Sequence, residues 1–112
     1  MEHAPIRSLM AAIVQEQDVD LATRALGALN LPVIHLASMG GFLGRRNATL
    51  LIGLTEGAGK EALTALRQTC RQRVEYLAVP LEGAPLPLPT PVPVTVGGAT
   101  VFTLPVEWFE EF

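Results

Sequence analysis

Two stretches of the sequence are apolar at nearly every position and too short to be typical helices. Residues 9–14 read Leu-Met-Ala-Ala-Ile-Val, and residues 49–54 read Thr-Leu-Leu-Ile-Gly-Leu. A strand covered on one face alternates apolar and polar residues, whereas a continuous apolar run is typical of a strand covered above and below. The two stretches therefore predict the central strands of a sheet whose faces are both covered.

Helical periodicity predicts two helices, over residues 19–29 and 58–72. Asp18 is a candidate N-cap for the first helix, since its carboxylate can accept a hydrogen bond from a free amide there. Asn30 is suited to the left-handed conformation that ends a helix, and Pro32 prevents continuation. Each helix presents one apolar stripe, which predicts that both pack on a single face of the sheet.

Two further strands, over residues 33–37 and 74–79, complete the order strand, helix, strand, strand, helix, strand. This order predicts an α+β, ferredoxin-like (βαββαβ) sandwich, in which the first and third strands form the central pair. The two helices can cover only one face of such a sheet. Because soluble monomers rarely leave large apolar patches in water, the second face must meet either the C-terminal segment or sister subunits. We infer a symmetric homo-oligomer with its sheets packed inward.

The segment from residue 80 to residue 93 is proline-rich, and its even spacing of proline predicts an extended backbone. The alternating prolines are at positions 85, 87, 89, 91 and 93. As a strand, the segment could pair along one edge only, because every missing amide donor lies on the same side. The alternatives are a polyproline-type arm and a stiff linker loop.

The C-terminal part of the chain contains two β-branched runs around Gly97-Gly98, over residues 92–96 and 99–104. This pattern predicts a tight β-hairpin added to the sandwich. The last five residues contain Trp108, Phe109 and Phe112. A terminus so apolar is expected to dock on another surface.

The glycine-rich stretch over residues 37–47 is the predicted functional loop. Its glycines leave backbone amides uncovered, and successive exposed amides can form a nest for an anion. Arg45 and Arg46 add two positive charges suited to phosphate, and Phe42 offers a flat apolar face. The alternative is a plain glycine-rich turn with one exposed aromatic residue.

Composition excludes several classes of protein. The chain has 112 residues, which suits a single domain with a flexible N-terminus over residues 1–6. A net charge of −3 argues against binding to nucleic-acid polymers. We see no apolar window long enough for membrane insertion and no secretory signal, and the single Cys70 fits a reducing compartment, so a cytoplasmic protein is expected. His3 and His35 lack a second ligand at metal spacing, so no metal site is expected.

Five motifs follow one another along nearly the whole chain, from about Arg7 to Phe112. They are "AAIVQEQD", "GGFLGRRN", "QTC", "VGGATVF" and "PVEWFEEF". Together they resemble the cyclic-di-AMP receptor branch of the PII-like signal transduction proteins. The resemblance implies a ferredoxin-like homotrimer that holds its ligand in clefts between subunits. It also implies a non-enzymatic protein without a cofactor, which signals to a regulatory protein target by reshaping loops around cyclic di-AMP.

The resemblance and the loop together assign a set of ligand-binding positions. Gly40, Gly41, Phe42 and Leu43 match the loop that wraps a phosphate and adenine. Asn47, Gly53 and Phe102 match positions on the strands, and Asn30 matches an asparagine just before the second strand. Arg45 and Arg46 are included for the charge they add to the loop, and Ile34 and Glu111 stand where the family has a threonine and a glutamine. The full set is Asn30, Ile34, Gly40, Gly41, Phe42, Leu43, Arg45, Arg46, Asn47, Gly53, Phe102 and Glu111.

Three positions depart from the family pattern. Pro32 and Ile34 replace an expected arginine and threonine, and Glu111 replaces a typical glutamine. Each lost contact could cost about 1–3 kcal/mol, where about 1.4 kcal/mol is tenfold in affinity. The alternatives are therefore a trimer that binds another adenine nucleotide, and one that has lost its ligand and acts only through protein partners. A third is a small phosphatase that uses Arg46 and Asn47 on an acyl phosphate.

Overall fold

A computed structural model describes residues 5–37, 46–80 and 89–112 of the chain. The elements are β1 (Ser8–Gln15), α1 (Val19–Ala28), β2 (Val33–Ala37), β3 (Asn47–Leu54), α2 (Gly59–Thr69), β4 (Arg73–Pro80), β5 (Pro89–Val96) and β6 (Ala99–Pro105). A short 3-10 turn, Glu16–Asp18, joins β1 to α1. The predicted order of the first four strands and two helices is confirmed, with small shifts at their ends.

The main sheet has four strands in the order β2-β3-β1-β6, and every neighbouring pair is antiparallel. The prediction that the first and third strands form the central pair is therefore confirmed. Met10 lies opposite Ile52 and Ala12 opposite Leu50, and all four side chains are buried. Mixed α+β architecture with this sheet is compatible with a ferredoxin-like fold. The predicted place of the fourth strand in the sandwich is wrong, because β6 occupies the edge beside β1 and β4 lies in a second sheet.

The hydrophobic core lies between this sheet and the two helices. Leu26 of α1 and Leu66 of α2 are buried with Met10, Leu50 and Ile52 in one cluster. Asn30 ends α1 in the left-handed conformation, with φ of 60°, as the sequence predicts. None of the helices in the described part of the chain is long and apolar enough to cross a membrane.

The expected role of Asp18 as a capping side chain is wrong. Asp18 occupies the N-cap position of α1, but its side chain makes no capping hydrogen bond. Its carboxylate instead accepts a hydrogen bond from Arg73 Nη2 at 2.8 Å. A charged partner offers a buried carboxylate more than a neutral amide does, so the ion pair takes precedence over the cap.

The predicted C-terminal hairpin is also wrong, because its two arms pair with other strands. β5 pairs with β4 in a separate two-stranded sheet, and β6 pairs with β1 at the edge of the main sheet. Gly97 and Gly98, with φ of 87° and 91°, carry the chain from one sheet to the other. The glycine pair separates the two strands without pairing them: β5 pairs with the strand before it in sequence, and β6 pairs with the first strand of the chain.

β4 and β5 form a two-stranded ribbon that lengthens the molecule, whose extents are 65 × 25 × 23 Å. The prolines of β5 lie opposite Tyr76, Ala78 and Pro80 of β4. Of the alternatives for the proline-rich segment, residues 89–93 therefore form the strand. Because alternate residues face opposite edges, the described prolines share one edge, as predicted for a strand that pairs on one side only. Residues 81–88 of the predicted loop lie outside the described residues.

The face of the main sheet opposite the helices is open in the single chain. Large apolar side chains on this face are exposed, including Ile34 at 61% and Phe102 at 56%. The aromatic tail is expected to dock on another surface. Within the single chain it does not, since Trp108 is 80% exposed. The second face of this sheet therefore has no cover from the described residues.

Candidate functional site

The predicted ligand-binding positions divide into those the structure describes and those it does not. Gly40, Gly41, Phe42, Leu43 and Arg45 lie outside the described residues. The other positions lie on β2, β3 and β6, in the turns beside them and in the C-terminal tail. They are Asn30, Ile34, Arg46, Asn47, Gly53, Phe102 and Glu111.

The structure brings two of these positions, from distant parts of the sequence, into one transverse row of the open face. Ile34 of β2 lies opposite Leu51, Leu51 opposite Ala11, and Ala11 opposite Phe102 of β6. Residues directly opposite each other in neighbouring strands project from the same face. We name the row Ile34, Leu51, Ala11 and Phe102 the apolar row. It is an apolar surface with an aromatic residue at one end, suited to the face of a purine base or another apolar side chain.

Arg46 and Asn47 lie where the glycine-rich stretch enters β3. Asn47 is opposite Gln15 in the β1–β3 ladder, and the Arg46 carbonyl accepts a hydrogen bond from the Glu16 amide at 3.0 Å. The backbone at Arg46 and Asn47 is therefore held by the end of β1 and by the turn that follows it. The Arg46 side chain is exposed, so its guanidinium can bind an anion at the edge of the sheet.

Asn30 and Gly53 lie at the other end of β2 and β3. The Gly53 amide donates to the Pro32 carbonyl at 3.0 Å. A Cβ atom at Gly53 would lie 2.9 Å from Pro32 Cγ and 3.0 Å from Ile6 Cδ1. Close packing is therefore a sufficient reason for glycine at position 53. The left-handed conformation that ends α1 is likewise a sufficient reason for asparagine at position 30.

The described positions do not converge on one enclosed pocket within a single chain. Asn47 and Gly53 are at opposite ends of β3, about 20 Å apart at the rise of an extended strand. Glu111 is exposed in the tail that follows β6. The single chain thus presents these residues along an open surface.

A groove of about 640 Å³ lies elsewhere, between the two helices. Its lining includes Ala25, Leu29, Leu63 and Arg67, and none of the predicted ligand-binding residues. It is also on the helical side of the sheet, away from the apolar row. We therefore do not associate this groove with the predicted site. Within residues 5–37, 46–80 and 89–112, no cluster of His, Cys, Asp or Glu could hold a metal ion.

A polar junction at the base of the β4–β5 ribbon is a feature that sequence reasoning missed. Asp18 is fully buried and pairs with Arg73, 55 positions further along the chain. The hydrogen bond to Asp18, followed by that to Glu75, raises the pKa of Arg73. Burial raises the pKa of the neighbouring Cys70 thiol, which keeps it protonated. No signal in the sequence names the partner, because Asp18 precedes α1 and Arg73 begins β4, 55 positions away.

Comparison with known proteins identifies the family. A family model described as "Cyclic-di-AMP receptor" matches residues 7–112, nearly the whole chain. The fold is also similar to the crystal structure of a functionally unknown protein from Pediococcus pentosaceus ATCC 25745. That similarity has a TM-score of 0.76 and 34% sequence identity, and it covers 97% of this chain and 100% of the other. The resemblance seen in the sequence motifs is confirmed, and with it a place in nucleotide-binding signal transduction: this chain belongs to the cyclic-di-AMP receptor family.

Proposed function

We propose that this protein is a non-enzymatic receptor that binds cyclic di-AMP in clefts between the subunits of a homotrimer and signals to a regulatory protein target. The observation that carries the proposal is the open face of the sheet, which holds two of the predicted ligand positions, Ile34 and Phe102, among exposed apolar side chains. A face of this kind is stabilised by association, and a closed ring of copies buries it symmetrically.

Association also accounts for the spread of the predicted ligand positions. Arg46 with Asn47 and Asn30 with Gly53 are separated by the length of β3, so one chain cannot wrap a compact ligand with both groups. In a trimer with inward-facing sheets, the edges of one copy border the next. A cleft between copies can then combine the Arg46 end of one subunit with the aromatic edge of its neighbour.

The chemistry of the described residues matches an adenine dinucleotide. Cyclic di-AMP carries two phosphates, and Arg46 supplies an exposed guanidinium on an otherwise acidic protein of net charge −3. Phe102 offers an exposed ring on which a base can stack, a contact that is worth about 1–3 kcal/mol per base in nucleic-acid complexes.

Calorimetric titration with cyclic di-AMP, together with light scattering, tests the proposal. We expect saturable heat with one ligand per subunit and a mass of three chains of 12.0 kDa. Ligand that binds only the folded state also raises the midpoint of thermal unfolding. If cyclic di-AMP, ATP and ADP all give no heat and leave the midpoint unchanged, the protein is not a nucleotide receptor.

A second candidate function follows from Ile34. Its apolar side chain stands on the open face where the family resemblance implies a hydroxyl. A trimer that has lost its ligand and acts only through a protein partner would keep the apolar face and give no heat with any nucleotide. Heat with ATP or ADP but not with cyclic di-AMP would instead support a trimer that binds another adenine nucleotide.

A further inference from the structure

We propose that Asp18 and Arg73 are positioning residues that couple ligand occupancy at Arg46 and Asn47 to the orientation of the β4–β5 ribbon. The coupling runs through a polar junction formed by Gln15, Asp18, Arg73 and Gly97. This inference rests on the proposed cyclic-di-AMP site and adds to it a route by which binding changes a distant surface.

The ligand side of the junction is a backbone contact. The Glu16 amide donates to the Arg46 carbonyl at 3.0 Å, and Gln15 is opposite Asn47 in the β1–β3 ladder. Arg46 and Asn47 therefore cannot shift toward a bound phosphate without moving the end of β1 and the turn that follows it.

The ribbon side is held by side chains from that same short segment. Gln15 Oε1 accepts a hydrogen bond from the Gly97 amide at 2.8 Å, where the chain leaves the ribbon. Asp18 Oδ1 accepts from Arg73 Nη2 at 2.8 Å, where the chain enters it. The points where the chain enters and leaves the base of the ribbon are thus both tied to the four residues from Gln15 to Asp18.

The Arg73 guanidinium is held in place by three partners. Besides Asp18, it donates to Glu75 Oε1 at 3.0 Å and to the Arg71 carbonyl at 3.1 Å. Gly97 packs against this arrangement, since a Cβ atom there would lie 2.8 Å from Arg73 Nη1 and would overlap the Arg71 carbonyl. Gly97 and Arg73 are thus in close contact at the base of the ribbon, so the direction of the ribbon follows the position of Arg73.

Burial makes the Asp18–Arg73 pair sensitive to small displacements. Asp18 is fully buried, and its second oxygen, Oδ2, has no hydrogen-bond partner among the described residues. Arg73 is therefore the partner that stabilises the buried carboxylate. A buried charge that loses its partner is strongly unfavourable. A displacement of the Glu16–Asp18 turn therefore moves Arg73 with it. The movement of Arg73 in turn changes the orientation of the β4–β5 ribbon.

Hydrogen exchange of the β4 and β5 amides, with and without saturating cyclic di-AMP, tests the coupling when paired with calorimetry. In the natural protein, we expect ligand to change exchange in the ribbon. In Arg73→Gln, we expect that change to disappear and the Kd to shift by about fivefold or more, because coupling between two sites is reciprocal. Arg73→Lys, which keeps the charge, should restore part of the response.

Matched controls separate coupling from a structural role. Arg71→Gln removes the same positive charge from an exposed neighbour, and Asp20→Asn removes a negative charge from an exposed residue near Asp18. Both should behave like the natural protein. Gln15→Met, which keeps the size of the side chain but cannot accept from Gly97, provides a second variant if Arg73→Gln does not fold, and it should also lose the ribbon response.

The outcomes are distinguishable from one another. An absence of heat in the natural protein overturns the proposed function, and the coupling with it. Heat accompanied by unchanged ribbon exchange overturns the coupling alone. A variant that is less stable but keeps the full ligand-induced change in the ribbon shows that the junction is only structural.

Discussion

Ile34 and Phe102 lie in one row across the open face of the sheet, with Leu51 and Ala11 between them. One residue is on the second strand and the other on the last, so no local pattern joins them. Their exposure in the single chain connects the proposed ligand site to the proposed association, because both depend on the same surface. The following predictions separate these roles.

A charge on the open face is expected to prevent association. Ile13 projects from the middle of this face, between Thr49 and Thr100. In Ile13→Asp, we expect light scattering to give the mass of one chain, because burying an unpaired carboxylate is strongly unfavourable. Leu21→Asp, on the exposed side of α1, is the matched control and should remain trimeric. A trimeric Ile13→Asp protein would show that the subunits meet elsewhere.

A hydroxyl at position 34 is expected to strengthen binding of cyclic di-AMP. Ile34→Thr keeps a β-branched side chain, which suits the strand, and adds a hydrogen-bonding group that the resemblance implies. We expect the Kd measured by calorimetry to fall by about tenfold, since a hydrogen bond to a charged group contributes about 1.5–3 kcal/mol. Leu36→Thr, on the same face of β2, should leave the Kd unchanged. Equal Kd values for all three proteins would remove Ile34 from the site.

A side chain at Gly53 is expected to destabilise the fold. The new Cβ of Gly53→Ala would press on Pro32 and Ile6, and overpacking of this kind costs about 1–3 kcal/mol in the free energy of unfolding. Gly27→Ala, in a helix with open space around the new atom, should instead be stabilised by about 0.5–1 kcal/mol. Urea unfolding of both variants measures the contrast. Unchanged stability with weaker binding in Gly53→Ala would favour a ligand role over a packing role.

Two substitutions at Asn30 are expected to separate its role as helix terminator from its role as ligand contact. Its φ of 60° suits glycine and strains alanine by about 1–2 kcal/mol. Asn30→Gly should therefore keep the midpoint of thermal unfolding, whereas Asn30→Ala should lower it. If Asn30 also contacts the ligand, both variants bind cyclic di-AMP more weakly by calorimetry. Unchanged binding in Asn30→Gly would leave only the structural role.

Local sequence determined the first four strands, the two helices and the residue that ends α1. The continuous apolar runs in β1 and β3 predicted the central pair, because such a run is typical of a strand in the middle of a sheet. Asn30 predicted the end of α1, since its left-handed conformation is a property of one residue and its neighbours. The motifs also identified the family, which the match over residues 7–112 confirms.

Tertiary structure alone decided which strands pair and which side chains meet. The Gly97-Gly98 pattern predicted a hairpin of β5 and β6, yet β5 pairs with β4, the strand before it in sequence, and β6 pairs with β1 near the other end of the chain. The Asp18 side chain likewise pairs with Arg73 and does not cap α1, since a buried carboxylate is stabilised more by a cation than by an amide. Propensity and spacing act over a few residues, whereas edge pairing and burial of charge depend on what the folded chain brings together.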